Sequence, residues 1–170
     1  DAWLGGGLPL VRVMPNTPSL VGKGAAGLYA NDAVTEEQKR SVQAVFESIG
    51  SALWVQDEHR LHGVTALSGS GPAYFFLFLE ALEAAATEAG IDSATARALA
   101  IQTMAGAAEM AARSEHDPAQ LKRNVMSPGG TTERAIQAFE TGGLRDLVKQ
   151  AYDAAYQRSE EMATELASPQ

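Results

Sequence analysis

The sequence contains no cysteine, so disulfide bonds and zinc sites built on thiolates are excluded. Basic residues are also few: 13 Lys and Arg stand against 21 Asp and Glu, which gives a formal net charge of −8. Nucleic-acid binding requires clustered Lys and Arg, so this composition disfavours it. The 170 residues, 45% of them hydrophobic and 20% charged, predict a soluble globular chain with one or two cores.

Long apolar segments are absent as well. The longest uncharged apolar stretch, about residues 64–79, is interrupted by Gly69, Gly71 and Pro72 and stops at Glu80. A membrane-spanning helix needs about 18–20 apolar residues, so we expect no membrane partner. The first ten residues, "DAWLGGGLPL", lack the basic lead and apolar centre of a signal peptide and do not begin with Met. We therefore expect a fragment or a processed chain.

Residues 8–57 show an alternating α/β pattern. The segments "LPLVRVMP", "GAAGLYAN" and "SALWV" predict three short strands, the first ended by Pro15. Between the second and third, Thr35 with Gln38 three residues later predicts a helix that begins with a capping box, and Gly50 is expected to terminate it. This alternation is typical of the end of an α/β sheet. Three strands are too few for an independent sheet, so we expect the rest of that domain to be missing.

From about residue 58 the pattern becomes helical. Helices are predicted over 73–89, 93–114, 118–124, from "SPGGTT" to Gly142–Gly143, and from Leu144 onward. The first carries the run "YFFLFL", apolar on all sides, and is expected to be buried on all sides. Asp92 or Ser93 is expected to cap the second, and Asp117–Pro118 to start the third. Together these helices carry more apolar surface than a compact monomer hides, which leaves an ordinary bundle and an intertwined oligomer both open.

The segment "SPGGTTERA" places two glycines and two threonines where a helix begins. Its candidate binding residues are Ser127, Gly129, Gly130, Thr131 and Thr132. The first turn of a helix has unpaired N–H groups and a positive dipole end, and glycines let a carboxylate or phosphate approach them. A tight turn with a threonine N-cap is the alternative, and the turn signals alone favour it. The Lys of a P-loop is missing, so a small carboxylate fits better than a nucleotide phosphate.

A second glycine cluster lies in "SGSGPAYFF", residues 68–76. Position 74 is tyrosine where a dinucleotide fingerprint needs glycine, and no long strand precedes the cluster, so that fingerprint fails. The cluster brings its backbone close to a ligand or another helix, or else forms a helix-entry loop with Pro72 at the first helical position.

His59 and His62 lack the acidic or cysteine residue that would complete a set of metal ligands, so we expect a surface or interface role for them. Conventional catalytic groups are sparse, which indicates that a bound cofactor carries the reaction.

Three segments carry a family resemblance. In this order, "VMPNTP" (13–18), "TALSGSGPAY" (65–74) and "NVMSPGGTTERAIQAFETGG" (124–143) resemble pyrroline-5-carboxylate reductases, and the likeness covers essentially the whole chain. His62–Gly63 departs from the family, where Asp-Ala is expected, which puts the local helix start in question. The glycine fingerprint of the family's Rossmann domain is absent from these residues.

The resemblance implies a mainly α fold. Residues 58–170 would form a helical dimerisation and substrate-binding domain like the C-terminal domain of 6-phosphogluconate dehydrogenase. Residues 1–57 would be an α/β remnant of a Rossmann-type NAD(P)-binding domain. The resemblance also implies a cytoplasmic homodimer, assembled into a decamer in many members, without a metal.

The implied reaction is hydride transfer from NADPH or NADH to the C5=N bond of 1-pyrroline-5-carboxylate, giving L-proline in the last step of proline biosynthesis. Thr132 would be the catalytic residue, with its hydroxyl hydrogen-bonded to the ring nitrogen. The substrate-binding residues would be Glu115, Val125, Ser127, Gly129, Gly130, Thr131 and Thr132. The residues beside the nicotinamide would be Met14, Pro15, Asn16, Thr17, Pro18, Gly71, Pro72 and Ala73.

Other functions remain open at this point. We expect this chain alone to lack activity, because most of the cofactor domain is absent. One alternative is a non-catalytic helical dimerisation module, and another is a related imine or β-hydroxyacid reductase domain. The choice between NADH and NADPH is usually made around the ribose, outside these residues.

Overall fold

The computed structural model describes residues 6–167; Asp1–Gly5, on which part of the signal-peptide argument depends, lie outside that range. The strands and helices predicted from the sequence occur in the predicted order, together with three short helical elements that it did not predict, Thr17–Val21, Arg60–Val64 and Thr65–Gly69. In chain order the elements are β1 Val11–Met14, a 3-10 helix Thr17–Val21, β2 Gly24–Ala30, α1 Glu36–Glu47, β3 Gly50–Trp54, α2 Arg60–Val64, a π-helical turn Thr65–Gly69, α3 Gly71–Glu88, α4 Ser93–Arg113, α5 Pro118–Asn124, α6 Thr131–Thr141 and α7 Leu144–Ala167.

The three strands form a mixed sheet in the order β1-β2-β3. Strand β1 pairs antiparallel with β2, whereas β2 pairs parallel with β3 through the crossover helix α1. Gly50 was expected to terminate α1, and that expectation is wrong. The helix ends at Glu47, and Gly50 begins β3 opposite Gly24. A Cβ on Gly50 would collide with the Gly24 backbone, so it is the strand pairing that requires this glycine.

Three helices, α1, α4 and α5, begin at predicted caps. Thr35 and Gln38 form the expected capping box: the Gln38 N–H donates to the Thr35 hydroxyl at 3.2 Å, and the Thr35 N–H donates to the Gln38 side chain at 2.9 Å. Of the two cap residues expected for α4, Asp92 is used and Ser93 is the first helical residue. Asp92 and Asp117 each accept a hydrogen bond from the N–H three residues further on, at 3.0 and 2.7 Å.

The chain forms two compact units. The sheet unit comprises the residues up to Tyr74 together with those from Gln150 onward, and the helical unit comprises Phe75–Lys149. The domain boundary predicted between residues 57 and 58 stays a prediction.

The best-packed core lies in the sheet unit. Leu28 on β2 and Leu61 on α2 are its largest fully buried side chains. Helix α2 packs directly on β2, because a Cβ on Gly27 would lie 2.6 Å from a methyl group of Val64. This close packing fixes the position of the segment that leads into α3.

The helical unit buries far fewer apolar side chains than the sheet unit does. Ala96 is its only buried apolar side chain among the described residues. On α3, the side chains of Phe75, Phe76 and Leu77 are 61%, 65% and 67% exposed. The expectation that α3 is buried on all sides is therefore wrong for the single chain, which leaves most of the helix circumference uncovered. Even so, no helix in the described range is long and apolar enough to cross a membrane.

Candidate functional site

In the sheet unit, the end of β1 lies against the glycine segment that precedes α3. A Cβ on Gly69 would lie 2.8 Å from the terminal methyl of Met14, so this glycine makes room for the methionine. Pro15 follows β1 directly, and the Asn16 side chain then donates from Nδ2 to the carbonyl oxygen of Ser68 at 3.0 Å. The two segments predicted to contact the cofactor are thus brought together.

The remaining predicted cofactor residues lie at the starts of two helices. Thr17 and Pro18 begin the 3-10 helix, and Gly71 begins α3. Pro72 is therefore the second residue of α3 and not the first, as the sequence predicted. Gly71 is buried, yet a Cβ placed on it would meet no atom within 4 Å, whereas Ala73 is exposed. The backbone at Gly71 consequently borders open space.

The glycine cluster before α3 does not form a helix-entry loop, which was one of the two structures that the sequence allowed for it. Residues Thr65–Gly69 form a π-helical turn, closed by the Ser70 N–H donating to the Thr65 carbonyl at 2.8 Å. Such turns are rare and often occur at functional sites. Helix α2 and this turn span five residues each. Elements of that length are too short to be recognised from hydrophobic periodicity.

The second candidate region is the glycine loop, residues 125–132, in the helical unit. Gly130 is the N-cap of α6 and provides no side-chain hydrogen bond, so no side chain caps the first N–H groups of the helix. The alternative of a threonine N-cap is wrong, because Thr131 is already helical. Gly129 has φ +72°, a left-handed conformation that favours glycine. Ser127 closes the turn, accepting from the Gly130 N–H at 2.9 Å.

The glycine loop already holds a carboxylate from its own chain. The Gly129 N–H donates to Oε2 of Glu133 at 2.6 Å. Sequence reasoning missed Glu133, although an acidic residue in the first turn of a helix is a known signal for this contact. Thr132 is half-buried, and its hydroxyl makes no hydrogen bond within the described residues. This hydroxyl is therefore available to a ligand.

The other two predicted substrate residues lie at the edges of this region. Glu115 is exposed in the connection between α4 and α5, and Val125 is exposed directly after α5. Within the described part of the chain, no hydrogen bond or ion pair joins Glu115 to the glycine loop. Its role beside the substrate stays a prediction.

Ion pairs fasten the helices that flank the glycine loop. Glu140, near the end of α6, pairs with Arg145 at 2.7 Å and with Lys122 of α5 at 3.3 Å. Hydrogen bonds, first from Arg145 and then from Lys122, lower the pKa of Glu140 to about 2. The carboxylate is therefore ionised at neutral pH, and it links α5 and the start of α7 to α6.

The histidines lie where α2 meets α7. Nδ1 of His62 is 2.8 Å from the Ser159 hydroxyl, and Nε2 of His59 is 2.8 Å from the Tyr156 hydroxyl. The expected surface or interface role is wrong for His62, which is buried inside its own chain. The departure at His62–Gly63 leaves α2 intact. Across residues 6–167, no group of three or more His, Cys, Asp or Glu side chains is placed to hold a metal ion.

These features define a class of protein: a helical association domain with uncovered apolar faces, preceded by a short α/β segment. The chain belongs to the pyrroline-5-carboxylate reductase dimerisation family, whose model matches residues 58–162.

Individual relatives agree with this assignment. The chain is 50% identical over 166 residues to the pyrroline-5-carboxylate reductase of Pseudomonas aeruginosa, covering 98% of this chain and 61% of that protein. It is 45% identical over 156 residues to that of Haemophilus influenzae, covering 91% and 58%. The chain thus spans about three fifths of the length of these curated relatives.

Solved structures give the same result. A pyrroline-5-carboxylate reductase from Coxiella burnetii matches with a TM-score of 0.92 and 47% identity, covering 94% of this chain and 59% of that one. The Plasmodium falciparum pyrroline carboxylate reductase with NADP bound matches with a TM-score of 0.83 and 36% identity, covering 91% and 58%. The family and the mainly helical fold class predicted from the sequence are confirmed. The roles of individual site residues stay predictions.

Proposed function

We propose that the protein to which this chain belongs is an NAD(P)H-dependent pyrroline-5-carboxylate reductase that forms L-proline. One observation carries the proposal: the glycine loop, which ends at an uncapped helix start, already accommodates a carboxylate from Glu133. The names of the relatives support the same activity. Because the chain spans only about three fifths of those relatives, we propose that it lacks turnover on its own.

The glycine loop binds the substrate carboxylate in this proposal. Backbone N–H groups at Ser127 and Gly129 and at the first two residues of α6 donate to it, and the carboxylate of Glu133 gives up its place, while the Gly130 N–H keeps the turn closed on the Ser127 carbonyl. The positive end of the α6 dipole favours an anion there. Gly130 has no side chain to block the approach, which explains why the loop is so poor in side chains.

Thr132 holds the ring nitrogen of the substrate. Hydride attack is easier on a protonated imine, and a threonine hydroxyl can accept a hydrogen bond from the N–H of that ring. Carboxylate and nitrogen are then both fixed, so the ring is held in one orientation in the glycine loop. Orientation of this kind contributes strongly to the rate.

The sheet unit offers a place for the nicotinamide end of the cofactor. NADPH or NADH, when bound, supplies the hydride. The buried Gly71 backbone borders open space, where a side chain would otherwise stand, and this fits a planar ring close to the main chain. NADP is bound in the Plasmodium falciparum relative. The neighbouring segment from Met14 to Pro18 would line the same place.

Assembly belongs to the proposal too. The matched family is described by dimerisation, and the uncovered apolar faces of the helical unit support a homodimer formed through it. The finer expectations, a decamer of such dimers and a cytoplasmic location, rest on the family resemblance alone.

Turnover tests the proposal directly. A version completed to the length of its relatives is expected to oxidise NADPH or NADH with 1-pyrroline-5-carboxylate, whereas the 170-residue chain dimerises without turnover. Steady NADPH oxidation by the 170-residue chain, or none by the complete protein, would contradict it. A complete protein that dimerises but stays inactive would favour the non-catalytic module. Competition with other cyclic imines and with β-hydroxyacids would reveal a related reductase instead.

Thr132→Ala is expected to lower kcat/KM of the complete protein by about fivefold or more, because a lost hydrogen bond to a bound ligand costs about 1 kcal/mol or more. Steady-state kinetics with varied 1-pyrroline-5-carboxylate measures this. Thr132→Ser keeps the hydroxyl and is expected to retain most activity. Thr141→Ala, at the opposite end of α6, is the control and should match the unchanged protein. An unaltered kcat/KM for Thr132→Ala would remove Thr132 from the reaction.

A further inference from the structure

We propose that Asn16 is a positioning residue whose side-chain amide locks the end of β1 to the turn before α3. It would keep the two backbone segments beside the nicotinamide aligned without touching the reacting atoms. The inference rests on the proposed reductase function, and it replaces the direct cofactor contact that the sequence suggested for this residue.

Both ends of the Asn16 side chain are occupied within the chain. Oδ1 accepts a hydrogen bond from the Ala25 N–H at 2.8 Å, and Nδ2 donates to the Ser68 carbonyl at 3.0 Å. One residue thus connects the β1 end, the start of β2 and the π-helical turn. Its own backbone is extended, with φ −134° and ψ 167°, so no backbone strain accompanies this arrangement.

Pro72 explains why the Ser68 carbonyl needs a side-chain donor. In an α-helix that carbonyl would accept from the N–H of residue 72, and proline has none; the next N–H, of Ala73, donates to the Ser70 carbonyl at 3.0 Å instead. Asn16 supplies the donor from 52 positions before Ser68 in the sequence. The asparagine of "MPNTP" and the proline of "SGSGP" are therefore complementary partners in one hydrogen-bonding arrangement.

This connection bears on hydride transfer because it sets the distance between two backbones. The Met14 side chain already fills the space left at Gly69, so the contact has an apolar part and a hydrogen-bonded part. If the hydrogen bond is lost, the segments can shift relative to each other. A displacement of about 1 Å at a reacting centre can cost about 100-fold in rate.

Asn16→Asp tests the positioning role in the complete protein. It keeps the acceptor for Ala25 but sets a carboxylate oxygen against the Ser68 carbonyl, so the bridge opens at one end. We expect kcat to fall by about 10- to 100-fold. The KM for 1-pyrroline-5-carboxylate should stay within about twofold, since the glycine loop is unaltered.

Asn31 provides a matched control. Its Oδ1 accepts from the Leu10 N–H at 3.1 Å, and its Nδ2 donates to the Leu8 carbonyl at 2.8 Å. It makes the same two-ended bridge away from the predicted cofactor residues. Asn31→Asp is expected to lower Tm comparably while kcat stays within about twofold. If Asn16→Asp reduces kcat no more than Asn31→Asp does, the positioning role is overturned.

A thermodynamic cycle tests the Asn16–Pro72 pairing without any activity. In the 170-residue chain, Asn16→Ala should lower Tm, and it should lower it less when Pro72→Ala is also present. The reason is that an alanine introduced at position 72 has an N–H that can serve the Ser68 carbonyl. An equal Tm shift in both backgrounds would overturn the pairing. If the complete protein shows no turnover, the proposed function fails, and this cycle still decides on the bridge.

Discussion

Leu77→Glu is expected to convert the 170-residue chain from a dimer into a monomer, with the dimer Kd raised by about 1,000-fold or more. The Leu77 side chain is 67% exposed in the single chain, so a glutamate there costs little in the monomer. In a symmetric dimer the substitution occurs twice, and each unpaired carboxylate in an apolar interface costs several kcal/mol. About 4 kcal/mol in total corresponds to about 1,000-fold in Kd.

The expected loss of the dimer follows from how little apolar surface the helical unit buries within a single chain. Among its described residues, Ala96 is the only buried apolar side chain, while Leu147 and Val148 on α7 are exposed in the same way as the α3 residues. Soluble monomers rarely expose connected apolar patches of this kind. A helix α3 that is apolar around most of its circumference therefore needs a second chain as its core.

Sedimentation equilibrium of the 17.9 kDa chain measures this effect, with far-UV circular dichroism to confirm that the helices persist. Leu53→Glu on β3 is the matched control, since Leu53 is 69% exposed and lies outside the matched family region 58–162. It should leave the dimer intact. A Leu77→Glu protein that still dimerises with unchanged Kd would show that α3 is not in the interface.

The parts of the fold that sequence reasoning recovered are those governed by local chemistry. The capping box at Thr35 and Gln38 involves residues three apart, and Asp117–Pro118 starts α5 because a capping carboxylate and a proline favour the same position. The glycine loop could be predicted for the same reason, because the glycines and threonines that mark its helix start are consecutive in the sequence.

Apart from Glu133, whose contact with Gly129 is local, the contacts that sequence reasoning missed depend on distant residues. Asn16 meets Ser68 across 52 positions, and the buried His62 lies within hydrogen-bonding distance of Ser159, 97 positions away. Neither contact leaves a periodic or local signal. The burial of α3 was predicted wrongly for a different reason. Hydrophobicity shows that a surface must be covered, but it does not show whether the same chain covers it.

Gly130→Ala is expected to lower kcat/KM of the complete protein by about 100-fold, mainly through a higher KM for 1-pyrroline-5-carboxylate. A Cβ at this position would lie 2.5 Å from the Ser127 hydroxyl and 3.0 Å from the Ser127 carbonyl oxygen. To admit the methyl group, the hydroxyl must rotate away and the carbonyl, which is held by the Gly130 N–H, must shift, so the shape of the loop changes. The backbone of Gly130, φ −78° and ψ 171°, suits alanine, so the loss arises from crowding in the loop and not from strain.

Gly142→Ala, at the other end of α6, is the control that distinguishes crowding in the glycine loop from a general effect on the helix. A Cβ there would lie 3.1 Å from the Ala138 carbonyl oxygen, and the backbone is again permitted, with φ −72°. Gly142→Ala should therefore cost some stability but keep kcat/KM within about twofold. The KM for NADPH should change little in either variant, because the predicted nicotinamide residues lie in the sheet unit. If both alanines reduced kcat/KM equally, the glycine loop would have no special role in holding the carboxylate, and the residues around Gly130 would form only a turn.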